Sequence, residues 1–268
     1  MILKALRGKS VWITGASSGI GLELALLAAQ AGARLHLISS REEALKETAR
    51  LCTAKGAQST HYLSADLSQI PAASEAAEKL LNEHGPPDYL ILNAGVTQRA
   101  RCGETNIDVV QYIMNLNFLS SAAIARTVLP AMLRRNGGHI GVTSSLTGRF
   151  GFPLRSSYSA SKCALYGFFE TVGLEYAREG IHVTLVIPGR IRTPISKNSL
   201  DGQGRRRDVM DPGNAHGLDV QICALKYWKA VIKGRPEIAI GGLDKGMLFL
   251  HCFAPRLFRF IARRVNPY

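Results

Sequence analysis

The sequence predicts an α/β protein built on one doubly wound parallel sheet with helices on both faces. Two observations support this fold class. Short apolar runs of strand length alternate with longer stretches of helical periodicity along most of the 268 residues. A glycine-rich turn, Thr14-Gly15-Ala16-Ser17-Ser18-Gly19-Ile20-Gly21, follows the first apolar run and opens the first helical stretch. We therefore expect one domain over residues 1–245 and a tail over residues 246–268.

The expected elements alternate between strand and helix. Short runs rich in apolar residues predict a mostly parallel sheet of seven strands, at Val11–Thr14, Arg34–Ser39, Ser59–Leu63, Tyr89–Asn93, Gly138–Thr143, Val183–Ile187 and Glu237–Ile240. Apolar residues three or four positions apart predict the intervening helices, at Leu22–Ala31, Glu42–Ala54, Ala72–Glu83, Val109–Arg134 and Tyr158–Arg178. Because this order repeats a strand and then a helix, it favours a parallel sheet covered on both faces.

Bulk composition argues against several classes of protein. Hydrophobic residues make up 46% of the chain and charged residues 20%, an ordinary globular balance. No stretch reaches the roughly 18 apolar residues of a membrane span, and Met1–Lys9 is too short for a signal peptide. The five cysteines are scattered and the seven histidines have no metal-binding spacing. We therefore expect a cytoplasmic protein with reduced thiols and no bound metal.

The net charge of +13 has two interpretations. A basic protein attracts nucleic acid and anionic lipid. We favour the alternative, an ordinary basic surface with added cations for a phosphorylated cofactor, except at the C-terminus. Outside the tail no basic patch is interleaved with aromatic residues, so we expect no nucleic-acid partner.

A second motif places a tyrosine and a lysine four residues apart, in Ser156-Ser157-Tyr158-Ser159-Ala160-Ser161-Lys162. On a helix these positions share a face, so the phenol and the ammonium are expected side by side. The positive charge favours phenolate over phenol, which suits a group that exchanges a proton near neutral pH. Taken alone, the same spacing also fits two solvated helix residues.

Together, the motifs TGxxxGxG and YxxxK resemble the short-chain dehydrogenase/reductase superfamily of NAD(P)(H)-dependent oxidoreductases. The resemblance runs from about Lys9 to Thr193 and implies a Rossmann domain. The segment Asn117-Phe118-Leu119-Ser120 and the C-terminal tail are similar to the hydroxysteroid dehydrogenase and dehydrogenase/reductase member-seven branch. That branch acts on lipid-like carbonyls and is often associated with membranes.

The resemblance implies three catalytic roles. Tyr158 would donate the proton in reduction, or accept it in oxidation. Lys162 would promote ionisation of Tyr158 and bind the nicotinamide ribose. Ser145 would hydrogen-bond and polarise the substrate oxygen. It lies thirteen residues before Tyr158, which is the family's spacing, and Ser144 is the alternative.

A fourth role falls on an asparagine inside the long helix expected at Val109–Arg134. Asn117 would hold a water in a proton relay toward the lysine, as in the resembled family. Asn115 is the alternative, and Ser120 stands where the family has glycine. Because asparagine is a poor helix former, either residue could instead be a polar residue that bends the helix.

The glycine-rich turn is the expected pyrophosphate site of the cofactor. Gly15 allows a tight turn after the strand, Gly19 allows the backbone to approach the phosphates, and Gly21 allows close helix–strand packing. The helix that opens at Gly19-Ile20-Gly21 would direct its N–H groups and dipole at the phosphates. The hydroxyls of Ser17 and Ser18 can add donors.

The resemblance implies further cofactor contacts in three segments. Asp66-Leu67 would contact the adenine, and Asn93-Ala94-Gly95 would lie beside the adenosine ribose. Pro188-Gly189-Arg190-Ile191-Arg192-Thr193 would hold the nicotinamide carboxamide through the Ile191 backbone and the Thr193 hydroxyl. Asp66 and Asn93 could equally be caps at strand ends.

The end of the second strand indicates which nicotinamide cofactor is bound. NAD enzymes usually place an acid there to bond the ribose 2′-OH, but this sequence reads Leu37-Ile38-Ser39-Ser40-Arg41. The charge of Arg41 and the hydroxyl of Ser40 suit a 2′-phosphate, so we expect NADP(H) in preference to NAD(H). Arg41 could also be merely the first exposed residue of the next helix.

We expect an NADPH-dependent reductase that converts a hydrophobic, lipid- or steroid-like ketone or aldehyde to the alcohol. The alternatives are an NADP⁺-dependent alcohol dehydrogenase with the same residues and a non-catalytic NADP-binding scaffold. A lid is expected at about residues 194–217, where the Arg205-Arg206-Arg207 run would either meet an acidic group or remain solvated. Candidate pocket residues are Val96, Thr97, Leu146, Phe152, Leu154, Arg155, Arg190 and Pro194.

The tail predicts a basic amphipathic helix that begins at Pro255. Its two sides are Arg256, Arg259, Arg263 and Arg264 opposite Leu257, Phe258, Ile261 and Val265. Such a helix could lie on an anionic membrane surface or pack against the domain or a second subunit. The resemblance also implies a homodimer or homotetramer formed through the helices at Val109–Arg134 and Tyr158–Arg178.

Overall fold

A computed structural model of the chain describes residues 2–264. Seven parallel strands form one sheet, ordered β3-β2-β1-β4-β5-β6-β7. They are β1 (Ser10–Thr14), β2 (Arg34–Ser39), β3 (Ser59–Ser64), β4 (Tyr89–Leu92), β5 (Gly138–Thr143), β6 (Ile181–Pro188) and β7 (Glu237–Ile240). The strand order reverses between β1 and β4, which opens a crevice at the carboxyl ends of these strands.

Ten α-helices connect or follow these strands in residues 2–264. They are α1 (Gly19–Gln30), α2 (Glu42–Ala54), α3 (Ile70–His84), α4 (Ile107–Met114), α5 (Ser120–Arg134), α6 (Ser156–Glu175), α7 (Pro212–Ala215), α8 (Val220–Ile232), α9 (Gly246–Phe253) and α10 (Pro255–Ala262). One apolar cluster joins α1, α2 and α8 to one face of the sheet, and another joins α3, α5 and α6 to the opposite face. The predicted doubly wound Rossmann-like fold is therefore confirmed.

The sequence prediction missed α8, the helix of the crossover from β6 to β7. The sequence does contain a helix-capping residue at its start, Asp219. The Asp219 carboxylate accepts from the backbone N–H groups of Gln221 at 2.8 Å and Ile222 at 3.4 Å. The long loop before it, rich in glycine and arginine, obscured this start. Tyr227 and Trp228 of α8 are fully buried and fill the core beneath the sheet.

The helix expected at Val109–Arg134 is interrupted. A π-helical turn at Asn115–Leu119 separates α4 from α5, and such turns are frequent at functional sites. The stretch Ile107–Arg134 is also long and apolar enough to cross a membrane, since an 18-residue window within it has a mean hydropathy of 1.3. The expectation that no stretch meets this criterion was therefore wrong, although residues of α5 such as Ile124 and Val128 pack in the protein core.

The C-terminal helices lie against the domain. Phe258 and Ala262 of α10 are buried and join a small apolar cluster with Leu146, Phe150 and Ile187. Part of the apolar side predicted for the tail thus packs on the domain, whereas Leu257 is half exposed. Val265 belongs to the same prediction but lies outside the described residues.

Candidate active site

A cavity of about 440 Å³ lies at the carboxyl ends of the strands. Gly15 follows β1, Asn93 follows β4, Ser144 follows β5 and Gly189 follows β6, and all four residues line it. This is the crevice where open α/β sheets bind their ligands, and its volume falls in the range of small-molecule sites. Tyr158 and Lys162 reach the same cavity from α6.

The glycine-rich turn forms a close-packed cradle at one end of this cavity. Gly15 has φ +66°, and a Cβ there would fall 2.8 Å from the Ala94 Cα. A Cβ on Gly21 would fall 2.3 Å from the Gly15 carbonyl oxygen. At the start of α1 the Ser18 side chain makes no capping bond, so the first-turn N–H groups remain available to an anion. This arrangement fits the pyrophosphate of a dinucleotide.

Tyr158 and Lys162 lie one turn apart on α6, and 7% and 4% of their surfaces are exposed. Lys162 Nζ lies 5.8 Å from the centroid of the Tyr158 ring and donates to the Thr143 carbonyl oxygen at 2.7 Å. Burial lowers the pKa of Lys162 to about 7, because removing an ammonium from water disfavours its charged form. The predicted juxtaposition of phenol and amine is therefore present.

The two serines after β5 have different hydrogen bonds. The Ser144 hydroxyl donates to the Lys162 carbonyl oxygen at 2.9 Å, so its proton is already engaged. Ser145 Oγ accepts from the Thr147 hydroxyl at 3.1 Å and from the Thr147 N–H at 3.3 Å. The Ser145 hydroxyl donates to no group within residues 2–264, so its proton is free for a substrate oxygen. These contacts favour Ser145 over Ser144.

Asn117 is fully buried in the π-helical turn, where its side chain is held on three sides. Its Oδ1 accepts from the Val96 N–H at 2.8 Å, and its Nδ2 donates to Val96 O and Ser161 Oγ, each at 2.9 Å. A Cβ on Gly95 would fall 2.9 Å from Asn117 Oδ1 and 3.5 Å from Lys162 Nζ. Asn117 thus lies beside Lys162, but it does not line the cavity itself. Its role in a water relay stays a prediction.

Asn93 ties the strand ends together. Its side-chain amide donates to the carbonyl oxygens of Thr14 at 3.2 Å and Gly15 at 3.4 Å. Its Oδ1 accepts from the Thr143 hydroxyl at 3.2 Å. Since the Thr143 carbonyl also accepts from Lys162, Asn93 and Thr143 link the glycine turn to Lys162.

The remaining predicted cofactor residues divide into two groups. The cavity wall includes Ser17, Ser18, Gly19, Ile20, Ser40, Arg41, Leu67, Ala94, Gly95, Pro188, Ile191 and Thr193. Asp66 does not line the cavity, and its carboxylate instead accepts from the backbone and hydroxyl of Ser68. A contact between Asp66 and adenine therefore stays a prediction, and the alternative interpretation as a cap matches its present bonds.

The end of β2 carries a guanidinium and no acid. Arg41 Nη2 donates to Ser17 Oγ at 3.0 Å and to Ser18 Oγ at 2.6 Å. Within residues 2–264 Arg41 forms no ion pair with a carboxylate. Burial, followed by the nearby positive charge of Arg206, lowers the pKa of Arg41. An anion bound here would offset both the desolvation of the Arg41 guanidinium and its repulsion by Arg206.

Sequence reasoning missed two carboxylates that fix the substrate end of the site. Asp211 forms a buried ion pair with Arg99, whose Nε donates to Asp211 Oδ2 at 2.8 Å. Arg207 and Arg155 lie 3.6 Å and 3.9 Å from the same carboxylate. Asp244 accepts from the Arg190 backbone N–H at 2.6 Å and braces the loop after β6. Neither acid belongs to a sequence motif, and Arg99 and Arg190 lie far from them along the chain.

A family model described as short chain dehydrogenase matches residues 9–204. The chain belongs to the short-chain dehydrogenase family. It is 36% identical to the Dehydrogenase/reductase SDR family member 7B of Xenopus tropicalis, in an alignment that spans 97% of this chain and 87% of that protein. The predicted resemblance is thus confirmed, as is the expectation of an oxidoreductase that uses a nicotinamide dinucleotide.

Solved structures agree with this fold. A short-chain dehydrogenase from Streptomyces avermitilis is 27% identical, has a TM-score of 0.80, and aligns over 97% of this chain and 99% of its own. A short chain dehydrogenase/reductase from Burkholderia phymatum, solved in complex with NAD, is 24% identical with a TM-score of 0.82. Its alignment covers 98% of this chain and 97% of that one, and at this identity it shows the fold alone.

Replacing Gly95 by alanine should disable this dehydrogenase without unfolding it. The added methyl group would contact both Asn117 and Lys162 at the distances given above, so one of them must move. We expect turnover to fall at least about tenfold, since small misplacements of catalytic groups are costly. The matched control is Gly103→Ala, because a Cβ there would have no neighbour within 4 Å. Wild-type turnover in Gly95→Ala, measured by steady-state kinetics, would contradict this placement.

Proposed function

We propose that this short-chain dehydrogenase is an NADPH-dependent carbonyl reductase that converts a hydrophobic ketone or aldehyde to an alcohol. The observation that carries the proposal is the convergence of Tyr158, Lys162 and Ser145 on one cavity that also contains the glycine-rich turn. The turn and the loop after β6 would hold the cofactor, and the nicotinamide, when bound, would supply the hydride.

The side chains then divide the remaining tasks. Tyr158 delivers a proton to the substrate oxygen, and the free hydroxyl proton of Ser145 polarises that oxygen. Lys162 in its ammonium form stabilises the phenolate that remains after transfer. Its hydrogen bond to the Thr143 carbonyl at 2.7 Å fixes its position. The buried setting strengthens each of these electrostatic effects.

The preference for NADPH rests on Arg41. Its guanidinium has no carboxylate partner in the described chain, and the end of β2 has no acid to receive a ribose 2′-OH. A 2′-phosphate supplies the missing negative charge through charge-assisted hydrogen bonds. The family as a whole uses both NAD and NADP, so this corner of the cavity decides between them.

The proposed substrate is lipid- or steroid-like. The wall near Tyr158 includes the apolar side chains of Leu146, Phe150, Phe152 and Met247. Residues Pro194, Ile195 and Leu200 of the predicted lid line the same cavity, and the buried Arg99–Asp211 pair fastens the lid. The same residues would serve an NADP⁺-dependent alcohol dehydrogenase, so the cellular ratio of reduced to oxidised cofactor sets the direction.

Tyr158→Phe should lower turnover by about 10²- to 10⁴-fold, because it removes the proton donor. A panel of ketones and aldehydes with NADPH, followed at the nicotinamide absorbance, first identifies a substrate. NADPH affinity should change little in the variant, and Tyr176→Phe, at the far end of α6, should retain full turnover. Turnover close to wild type in Tyr158→Phe would exclude the mechanism. Cofactor binding with no reduction in either direction would favour a non-catalytic scaffold instead.

Arg41→Ala should weaken NADPH binding about tenfold or more and leave NADH binding nearly unchanged, because a hydrogen bond to a charged group contributes roughly 1.5–3 kcal/mol. Titration calorimetry with both cofactors measures the difference. Arg50→Ala is the control, since Arg50 lies on the solvent side of α2 and pairs with Glu47. Equal affinity of the wild-type protein for NADH and NADPH would refute the preference.

We also propose that the protein is a cytoplasmic homo-oligomer that contacts anionic membranes peripherally. All five cysteines are free, which suits a reducing compartment. Large apolar side chains remain exposed on α9 and α10, at Phe249, Phe253, Leu257 and Phe260. The arginines Arg256, Arg259, Arg263 and Arg264 lie among them. Apolar and basic side chains on one surface are typical of interfacial helices.

Replacing Phe253 and Phe260 together by serine should reduce co-sedimentation with phosphatidylserine-containing vesicles at least about fivefold, since less apolar area would enter the bilayer. Both side chains are more than half exposed, so the fold should survive. Exposed Ile107→Ser, on α4, is the control. Equal sedimentation of all three proteins would end the membrane proposal, and a lower oligomeric state in the double variant would assign the surface to a second subunit.

A further inference from the structure

The lid extends beyond the substrate end of the cavity. Leu200 forms β-bridges with Gln98 and Arg206, and the Asn106 side chain donates to Gln203 at 2.9 Å. A Cβ on Gly204 would lie 3.4 Å from Val109 of α4. The lid segment 198–206 therefore runs along the start of α4, and its residues Asn198, Leu200 and Arg206 line the cavity. Ser40, Arg41 and Leu67 line the same cavity from the expected adenosine end.

The three adjacent arginines of the lid have three different surroundings. Arg205 is 77% exposed in its side chain and pairs with Asp201. Arg207 lies 3.6 Å from the buried Asp211. Arg206 alone lines the cavity, and its Nη2 donates to Asn198 Oδ1 at 2.5 Å. The sequence could not separate these residues, because three consecutive arginines look alike until the lid is folded.

Arg206 is close enough to Arg41 for its positive charge to lower the pKa of Arg41. The carboxylate nearest Arg206 is Asp208, at 3.3 Å, and both side chains are largely exposed. A solvated pair of this kind contributes little and exchanges readily. Two guanidinium groups thus border one cavity, and among residues 2–264 the Arg41 guanidinium bonds only to serine hydroxyls. A bound dianion would turn their repulsion into attraction.

We propose that Arg206 of the lid and Arg41 after β2 together bind the 2′-phosphate of NADP(H), so that the cofactor itself holds the lid segment 198–206 in place. The proposal rests on the proposed preference for NADPH and adds a residue to the cofactor site from an element assigned to the substrate. NADH, which lacks the phosphate, would bind without a contact to Arg206. The phosphorylated cofactor would therefore hold this part of the lid over the cavity more firmly than NADH does.

Affinity is the first test. Arg206→Gln should weaken binding of NADPH about tenfold and leave NADH unchanged, whereas Arg205→Gln should change neither by more than about twofold. Adenosine 2′,5′-bisphosphate and AMP repeat the comparison without the nicotinamide half. Equal loss of NADPH affinity in Arg205→Gln and Arg206→Gln would assign the effect to the overall positive charge of the lid and overturn the proposal.

Protease protection is the second test, because trypsin cleaves after each arginine of the Arg205-Arg206-Arg207 run. Adenosine 2′,5′-bisphosphate should slow cleavage of the wild-type lid at least about fivefold, and AMP should not. The protection should disappear in Arg206→Gln, which keeps two cleavage sites. Protection that persists in this variant would overturn the proposal while the NADPH preference stands. If the wild-type protein binds NADPH and NADH equally, both the proposed preference for NADPH and the proposed role of Arg206 fail.

Discussion

The hydrogen bond from the buried Lys162 ammonium to the Thr143 carbonyl is the interaction on which the site depends. An ammonium removed from water must be compensated, and at 4% exposure Lys162 has little solvent to compensate it. The bond at 2.7 Å fixes its nitrogen near the Tyr158 ring. Thr143 in turn bonds Asn93, which holds the glycine turn. The proposed proton chemistry and the proposed cofactor site therefore share one set of hydrogen-bonded strand ends.

The lid and the C-terminal helices add further residues around these strand ends. The lid supplies Asp211 to a buried arginine near the substrate and Arg206 to the cavity wall near Arg41. The C-terminal helices contribute Met247 to the cavity and leave several phenylalanines exposed beyond it. Apolar side chains therefore extend from the cavity wall to the exposed surface of the C-terminal helices.

The sequence predicted what local patterns determine. Short apolar runs identified all seven strands, and the two motifs placed Gly15, Tyr158 and Lys162 around one cavity. It could not predict contacts between distant residues, such as Arg99 with Asp211, since nothing near either position signals the other. The π-helical turn at Asn115–Leu119 also escaped prediction, because the need to bury the Asn117 amide against Val96 and Ser161 arises only in the folded protein.

Titration of Lys162 tests the central claim most directly. With a folded pKa of about 7 and an unfolded value near 10.4, the unfolded chain binds more protons between these values, so the free energy of unfolding should rise with pH across that window. Urea unfolding from pH 7 to 10 should show this rise, at most roughly 4 kcal/mol, in a Lys229→Met control but not in Lys162→Met. Parallel profiles for the two variants would contradict a desolvated catalytic lysine.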